Sequence, residues 1–577
     1  VRPLSLGPEL ISALAGEINQ FYANVRIRKA EAAENWLALI FSSAEPLFFS
    51  WDPVSYGASL ACISEIRALS EIAKGRPPFI SAVRAHIVGS DLICASALKR
   101  DRILSIEFSK AIGAGFSRKR RLLFEASGRY SNILLLDEDE RIIEAAKHIH
   151  ADTNRYRSLL PGLLYTPPPP LAGIALEDFD PGAANAAEKL AKVVGVGRPL
   201  LSVIKKMCEE SPEVRADVLG GLDIFRQSGL NGAQTRYFSL EGYITLFPTD
   251  LSCGAVKIAA RSALEAARHA AILPLLDRIV TRVRKKLGAL LENKLAITAG
   301  KISDAENRLR ERGSADKELL YGKLILANAW KIPPRAPEAE LSEWTEGGEV
   351  SHSVTLDPEK NAAANAERYF ARYRKKTASV ARAEKILPAL RREAEDLQEQ
   401  LVLLERQDNP ATLSLMAIEI EGMTGKTKKA GGRGKARKAP SLAPHARYEL
   451  PGATLLVGLS AKGNHHVTFR LAKSDDIWLH AQKIPGAHVI LRFEGSPDEA
   501  AEAEALETAA ACAAYYSKGK EGGSVRVDFT EKKHVRAIPG GGPAHVTYKE
   551  FGTITADSAL WEKFAEGRPA ALPEEKP

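Results

Sequence analysis

Cysteine is scarce in this chain of 577 residues: five, at Cys62, Cys94, Cys208, Cys253 and Cys512, far apart and never in a CxxC pair. That argues against a secreted disulfide scaffold or a structural zinc site and fits a reducing cytosol. Long apolar runs are missing as well. The longest uncharged stretch, Leu159 to Leu176, holds Pro161, Pro167 to Pro170 and two glycines, which no membrane-spanning helix would carry. The opening VRPLSLGPEL lacks the apolar segment of a signal peptide, so the expectation is a soluble cytoplasmic protein with no membrane partner. Catalytic spacings are also absent: no GxSxG, no HExxH and no paired carboxylates at a recognisable interval. Gly425-Lys426-Thr427 would need glycine where Ile420 stands to form a phosphate-binding loop. His465-His466 and the pair His480 and His488 have no third ligand at metal spacing. The sequence therefore predicts no metal, no cofactor and no enzyme.

Globular material is what remains. Apolar residues make up 45% and charged residues 26%, and the length suggests about four domains at ~150 residues each. Lys and Arg number 80 against 72 acids, a surplus of +8. Nearly all of that surplus falls on Thr424–Lys438, which has seven basic residues and no acid and reads as a flexible linker. Before it, Leu10, Ile11, Leu14 and Ile18 keep helical spacing, Leu92 to Phe108 reads as strands, and Leu122 to Asp137 reads as two strands around a polar glycine turn. Pro167 to Pro170 forms a stiff boundary, and mostly short helices are expected from there to about residue 260. Ile272, Leu276, Ile279, Val283, Leu287 and Leu290, and later Ala383, Leu387, Leu390, Ala394, Leu397, Leu401 and Leu404, step by three and four. Two such arms around a small cap predict an antiparallel coiled coil, the second arm starting or kinking at Pro388. The domain boundaries follow: 1–172, 173–260, 261–422, a basic linker 423–445, a strand-rich 446–560 and a tail 561–577.

Several features suit nucleic acid. Val194-Gly195-Val196-Gly197 between apolar helical segments has the form of a helix-hairpin-helix turn, in which Gly195 and Gly197 would leave helix N-terminal amides free for a phosphate; a packed turn without ligand reads equally well. Arg118-Lys119-Arg120-Arg121 precedes one strand and Lys99-Arg100-Asp101-Arg102 opens another. Each alone reads as a solvated face, and together they favour a polyanion. Asp476, Trp478 and His480 alternate along a strand, and the turn Pro485-Gly486 brings His488 beside them. An exposed Trp478 with histidines and cations would suit single-stranded RNA; the alternative is that Trp478 is core.

The stretch Lys473–Arg492 resembles the RNA-binding signature of the NFACT family, the RqcH/Rqc2/NEMF proteins of ribosome quality control, whose bacterial members are also labelled fibronectin-binding protein A. Val535–Tyr548 and Gly552–Ile554 resemble that domain's closing strands. Phe124–Asp137 is similar to the family's Gly-Arg-His-Ser-Asn segment with Tyr130 for histidine, and Pro161-Gly162 with Tyr165–Pro168 also fits. Leu356-Asp357-Pro358, Asn365-Ala366, Tyr369-Phe370, Tyr373 and Lys375 are similar to its middle module.

The resemblance implies an α+β multidomain fold. Its parts are an N-terminal domain like that of the Fpg/MutM DNA glycosylases, a helix-hairpin-helix, an antiparallel coiled coil and a C-terminal strand-rich α+β RNA-binding domain. It implies binding to 50S ribosomal subunits, through rRNA, that are obstructed by peptidyl-tRNA. It also implies recruitment of charged tRNA(Ala) and untemplated alanine tailing of the stalled nascent chain for degradation. Asp101 and Arg102 match the family's tRNA-binding Asp-Arg pair. Leu6 stands where the family has an acid before Gly7, and Leu459-Ser460 replaces a Lys-Asn run. Two other readings, a fibronectin-binding surface adhesin and a glycosylase-like nucleic-acid enzyme, have less support. There is no adhesin repeat or anchor, and Pro3 follows Arg2, so its nitrogen is an amide and cannot attack a sugar.

Overall fold

The computed structural model describes residues 4–72, 77–98, 101–113, 115–183, 185–227, 235–240, 242–423, 443–495, 498–539, 542 and 544–565. Arg2-Pro3, Lys99-Arg100, the basic linker with Gly425-Lys426-Thr427, and the tail from residue 566 lie outside them. The chain divides into two compact units, Val1–Val283 with Asp408–Ser414, and Arg284–Gln407 with Leu415–Pro577. Among the described residues no helix is long and apolar enough to cross a membrane.

In the first unit a short strand β1 (Ser5–Leu6) leads into helix α1 (Pro8–Tyr22). Pro8 suits the first helical position, where its missing N–H costs nothing. Leu10, Ile11, Leu14 and Ile18 are wholly buried, as their helical spacing predicts. A meander follows, β2 (Ile27–Ala33), β3 (Trp36–Phe41), β4 (Leu47–Trp51) and β5 (Tyr56–Leu60), then α2 (Ile63–Ile72) and α3 (Pro78–His86). The second sheet is antiparallel in the order β10-β9-β8-β7-β6, from β6 (Asp91–Ala97), β7 (Ile103–Gly113), β8 (Phe116–Glu125), β9 (Asn132–Leu136) and β10 (Ile142–Ala145). Gly128 makes the expected turn between β8 and β9 with φ +64°.

Residues 173–260 depart from expectation. Helices Arg198–Cys208 and Pro212–Gln227 are present, and so are strands: a short parallel pair, Ile174–Ala175 with Val193–Val194, and Arg236–Leu240, Tyr243–Phe247 and Val256–Ile258. β1 pairs in parallel with Tyr243–Phe247, and one core holds Leu10, Phe124, Ile204 and Phe247 together. The proline stretch therefore separates segments of sequence but not hydrophobic cores.

The helix Ile272–Arg310 begins in the first unit and continues into the second, followed by Arg312–Ala327, a hairpin of Glu338–Thr345 with Gly348–Thr355, and the helix Ala362–Glu405. The arms run antiparallel, because pairings advance along one as they retreat along the other: Lys294–Glu393 at 3.0 Å, Glu306–Arg391 at 2.8 Å and Glu318–Lys376 at 2.7 Å. Ala383 and Leu387 pack on Ala305, Ile302 and Leu309, and Leu397 and Leu404 are buried further along the seam. Pro388 does not start the second arm; it lies on the exposed side within a continuous 44-residue helix.

The last domain is a six-stranded antiparallel sheet, in the order His445–Leu450, Ala453–Gly458, Val489–Phe493, Ile477–Ala481, Ser524–Glu531 and Gly552–Asp557. Helix Glu499–Tyr515 packs along the sheet. A second core forms where Leu456, Trp478 and Ile490 meet Val467, Leu471 and the small hairpin that carries Val535, Val546 and Tyr548.

Pro388 removes one helical hydrogen bond and is exposed, so Pro388→Ala should stabilise the second unit, by up to about 3 kcal/mol. A thermal melt in which the variant unfolds earlier than wild type would show that the proline ring makes a contact that offsets the missing bond.

Candidate nucleic-acid interface

Asp101 and Arg102 form the turn between β6 and β7, both part-exposed. Asp101 Oδ1 accepts the Arg102 backbone N–H at 2.7 Å and stands 4.0 Å from the guanidinium Nε. The Arg102 carbonyl takes the Ala126 N–H at 2.8 Å, which ties the turn to the end of β8. The aspartate thus shapes the turn that carries a part-exposed cation, and a guanidinium can pair with phosphate or a base edge.

The glycine turn behaves differently from the phosphate reading. Gly195 needs its left-handed φ of +92°, but the Gly197 amide is already taken: it donates to Glu9 Oε2 at 2.7 Å. Thr245 Oγ1 donates to the other Glu9 oxygen at 2.6 Å. Glu9 is completely buried; burial pushes its pKa up, while these bonds and the charge of Arg102 act against that rise. An internal carboxylate therefore sits where a phosphate was expected to meet Gly197. Any side chain at Gly7 would collide with that carboxylate. Glu9 was missed in the sequence because nothing marks a glutamate in the first turn of a helix as buried.

Arg118, Lys119, Arg120 and Arg121 lie on β8. Arg121 is neutralised between Glu107 (2.9 Å) and Glu140. Arg118 and Lys119 are exposed, and Arg120 is part-exposed. Of the four, the first three keep a cationic surface.

The C-terminal signature turns inward. Trp478 is 0% exposed, packed against Leu456, Val467, Ile490, Val535 and Tyr548. The sheet has packing on both faces, so alternation along the strand divides two cores rather than core from solvent. Trp478 is core and has no free face for a base. Asp476, likewise buried, clamps Arg492 with contacts at 2.7 and 3.1 Å and accepts the Lys473 N–H at 2.8 Å. His488 is buried, its backbone N–H bonded to Asn464 Oδ1 at 2.9 Å and its ring to Thr468 Oγ1 at 2.8 Å. His480 stacks on Trp478 with centroids 5.8 Å apart, and desolvation pushes its pKa down to about 4. At neutral pH it carries no charge for a phosphate. Pro485-Gly486 is docked rather than presented: the Pro485 carbonyl accepts the Lys518 N–H at 3.0 Å, and Gly486 approaches the backbone of Tyr516 and Ser517. The exposed cations of this domain are others, among them Lys462, Arg470, Lys473 and Arg536.

Asn464, just after the departure at Leu459-Ser460, also reaches out of the domain: its Nδ2 donates to Glu399 on the long helix Ala362–Glu405 at 2.6 Å. His545 approaches Asp396 on the same helix at 3.0 Å. Glu399 is almost fully buried, and desolvation lifts its pKa to about 8. The Asp396 contact raises that of His545.

Residues 10–212 and 275–438, well over half of the chain, match the NFACT N-terminal and middle domains. The chain is 29% identical over 496 residues to the Rqc2 homolog RqcH of Bacillus subtilis, covering 83% of this chain and 85% of that protein. It is 27% identical over 492 residues to the Rqc2 homolog RqcH of Streptococcus pneumoniae, with the same shares covered. Of solved structures, the C-terminal part of the fibronectin/fibrinogen-binding protein from Streptococcus suis is 23% identical with a TM-score of 0.35, covering 48% of this chain and 94% of that one.

Two outcomes follow from the C-terminal geometry. Trp478→Ala should destabilise the second unit by about 3–5 kcal/mol, the cost of a large core cavity; an unchanged melting curve would return Trp478 to the surface. Between the ordinary carboxylate range and about pH 8, folded Glu399 holds a proton that the unfolded chain has released. Stability of this unit should therefore fall as pH rises through that window. The raised His545 adds a loss of the same sign. Glu399→Gln should flatten the dependence of the melting temperature on pH; an unaltered slope would place the titration elsewhere.

Proposed function

The chain belongs to the NFACT family, and on that premise we propose that it is a ribosome quality control factor. It binds large ribosomal subunits obstructed by peptidyl-tRNA, recruits charged tRNA(Ala), and directs untemplated alanine tailing of the stalled nascent chain, which marks it for degradation. Peptide-bond formation is the ribosome's chemistry, so the chain's own task is to bind and position RNA. The observation that carries this reading is the family match across both the N-terminal and the middle domains.

The geometry supports a division of tasks. Arg102, on a turn shaped by Asp101, meets the tRNA, and the cations of β8 supply further phosphate contacts. In the last domain, exposed cations around the buried signature hold rRNA through its backbone, a mode whose affinity falls with salt because released counterions drive it. The buried Asp476, Trp478 and His488 act by fixing the surface on which those cations stand.

Asp101→Ala with Arg102→Ala should abolish alanine tailing in a reconstituted stalled-subunit assay, while co-sedimentation with the large subunit stays close to wild type. Tailing at the wild-type rate would remove the tRNA role from this pair; loss of co-sedimentation as well would make it a general RNA contact.

A further inference from the structure

The strands β7 and β8 are longer than their neighbours. β6 pairs with β7 only from Leu104 to Ser109, and β9 pairs with β8 only from Arg121 to Glu125. Beyond those residues the two strands continue as a ribbon paired only to each other, Lys110 opposite Arg118 and Gly113 opposite Phe116. At its end two apolar side chains stand in solvent, Ile112 at 54% and Phe116 at 71% exposure.

Behind that tip the ribbon is cationic. Lys110 and Arg118 are directly opposed, a like-charge cross-strand pair that costs stability in the free protein. Arg120 lies two residues further along the same face as Arg118, and after burial the charge of Arg118 acts on it more strongly than either nearby acid, Glu138 or Asp137, taken singly. Lys110 is tethered to the Val88 and Ala85 carbonyls at 2.8 and 3.3 Å. At the end of α3, His86 has its pKa lowered by burial and then by Arg120, Arg118 and Lys110 in turn, so these charges converge on one place. Among the described residues no ion pair neutralises Arg118, Lys119 or Arg120. A polyanion would relieve the repulsion, and an exposed phenyl ring among cations suits a base plane better than a second apolar surface would.

We propose that the free end of the β7–β8 ribbon is a wedge for unpaired nucleotides, with Phe116 stacking on an exposed base while Lys110, Arg118 and Arg120 hold the flanking phosphates. The assignment rests on the RNA-binding role proposed above and names the part of the RNA concerned: a loop or bulge rather than a helix. A-form duplex has a major groove too narrow for a ribbon to read and offers no unstacked base.

The test uses the full chain and two fluorescent RNAs of one sequence, a hairpin with seven unpaired loop nucleotides and its fully paired duplex. Phe116→Ala should weaken loop binding by about 5- to 150-fold, leave duplex binding unchanged and leave the melting temperature at the wild-type value. Phe116→Trp should restore loop binding, and Arg118→Ala with Arg120→Ala should lower the salt slope by about 1.4. Wild-type affinity of Phe116→Ala for the loop overturns the wedge, and does so in favour of a protein contact if the variant also dissociates from large subunits. Equal weakening on loop and duplex overturns it in favour of groove binding. If wild-type protein binds neither RNA, the quality control reading itself falls.

Discussion

A single carboxylate shut away from water joins three parts of the first unit that are distant in sequence. Glu9 enters from the first turn of α1, bonds the Gly197 amide at the head of the helix Arg198–Cys208, and bonds Thr245 on the strand beside β1. Burying a carboxylate is expensive unless its oxygens are occupied. Here one backbone and one side-chain donor occupy them, and Arg102 contributes opposite charge. Gly7 has no side chain because this carboxylate fills the space. The same carboxylate links the Asp101-Arg102 turn to the core, since the charge of Arg102 also moderates the burial of Glu9.

The last domain follows a similar rule with different groups. Three of its buried polar residues are bonded, Asp476 to Arg492, His488 to Asn464 and Thr468, and Asn464 onward to Glu399, while Trp478 Nε1 is buried without a partner among the described residues. An unmet polar group here would cost more than the bond contributes, so the residues that look most like ligand contacts are the ones the fold consumes. The two acids that receive this domain, Asp396 and Glu399, stand on one face of a single long helix within the second unit.

Periodicity carried the sequence reading well where one face met one core. α1, the β8–β9 turn and the seam through Ala383 and Leu387 lie where the spacing places them. It failed where a strand is covered on both sides: Trp478 alternates with Leu479 as an exposed residue would, yet both are buried in separate cores. The strands within 236–258 fared differently: Arg236–Leu240 pairs locally with Tyr243–Phe247 and Val256–Ile258, and only the pairing of Tyr243–Phe247 with β1, more than two hundred residues away, lies beyond any local window. Pro388 misled in the opposite direction, because a long helix packed along its length tolerates one missing bond. The site was legible as chemistry more than as geometry. Basic residues and glycines were found, but which cations are neutralised, as Arg121 is by Glu107 and Glu140, depends on strands that come together only in the fold.

On the proposed function, the distribution of charge sets how this protein would meet RNA. A cation contributes to phosphate binding only if it is unpaired in the free state and reachable, because a pair already made must be broken and desolvated again. By that criterion Arg121 and Arg492 belong to the scaffold, and the histidines beside Trp478, which desolvation keeps neutral, belong with them. Arg118, Lys119, Lys462, Arg470 and Lys473 meet it through their exposure, and Arg102 meets it in part, being shared with Asp101. These cations lie on both units, so on the proposed function no single patch would have to supply the whole affinity. On that function, two salt-sensitive surfaces linked on one chain would gain affinity from the linkage.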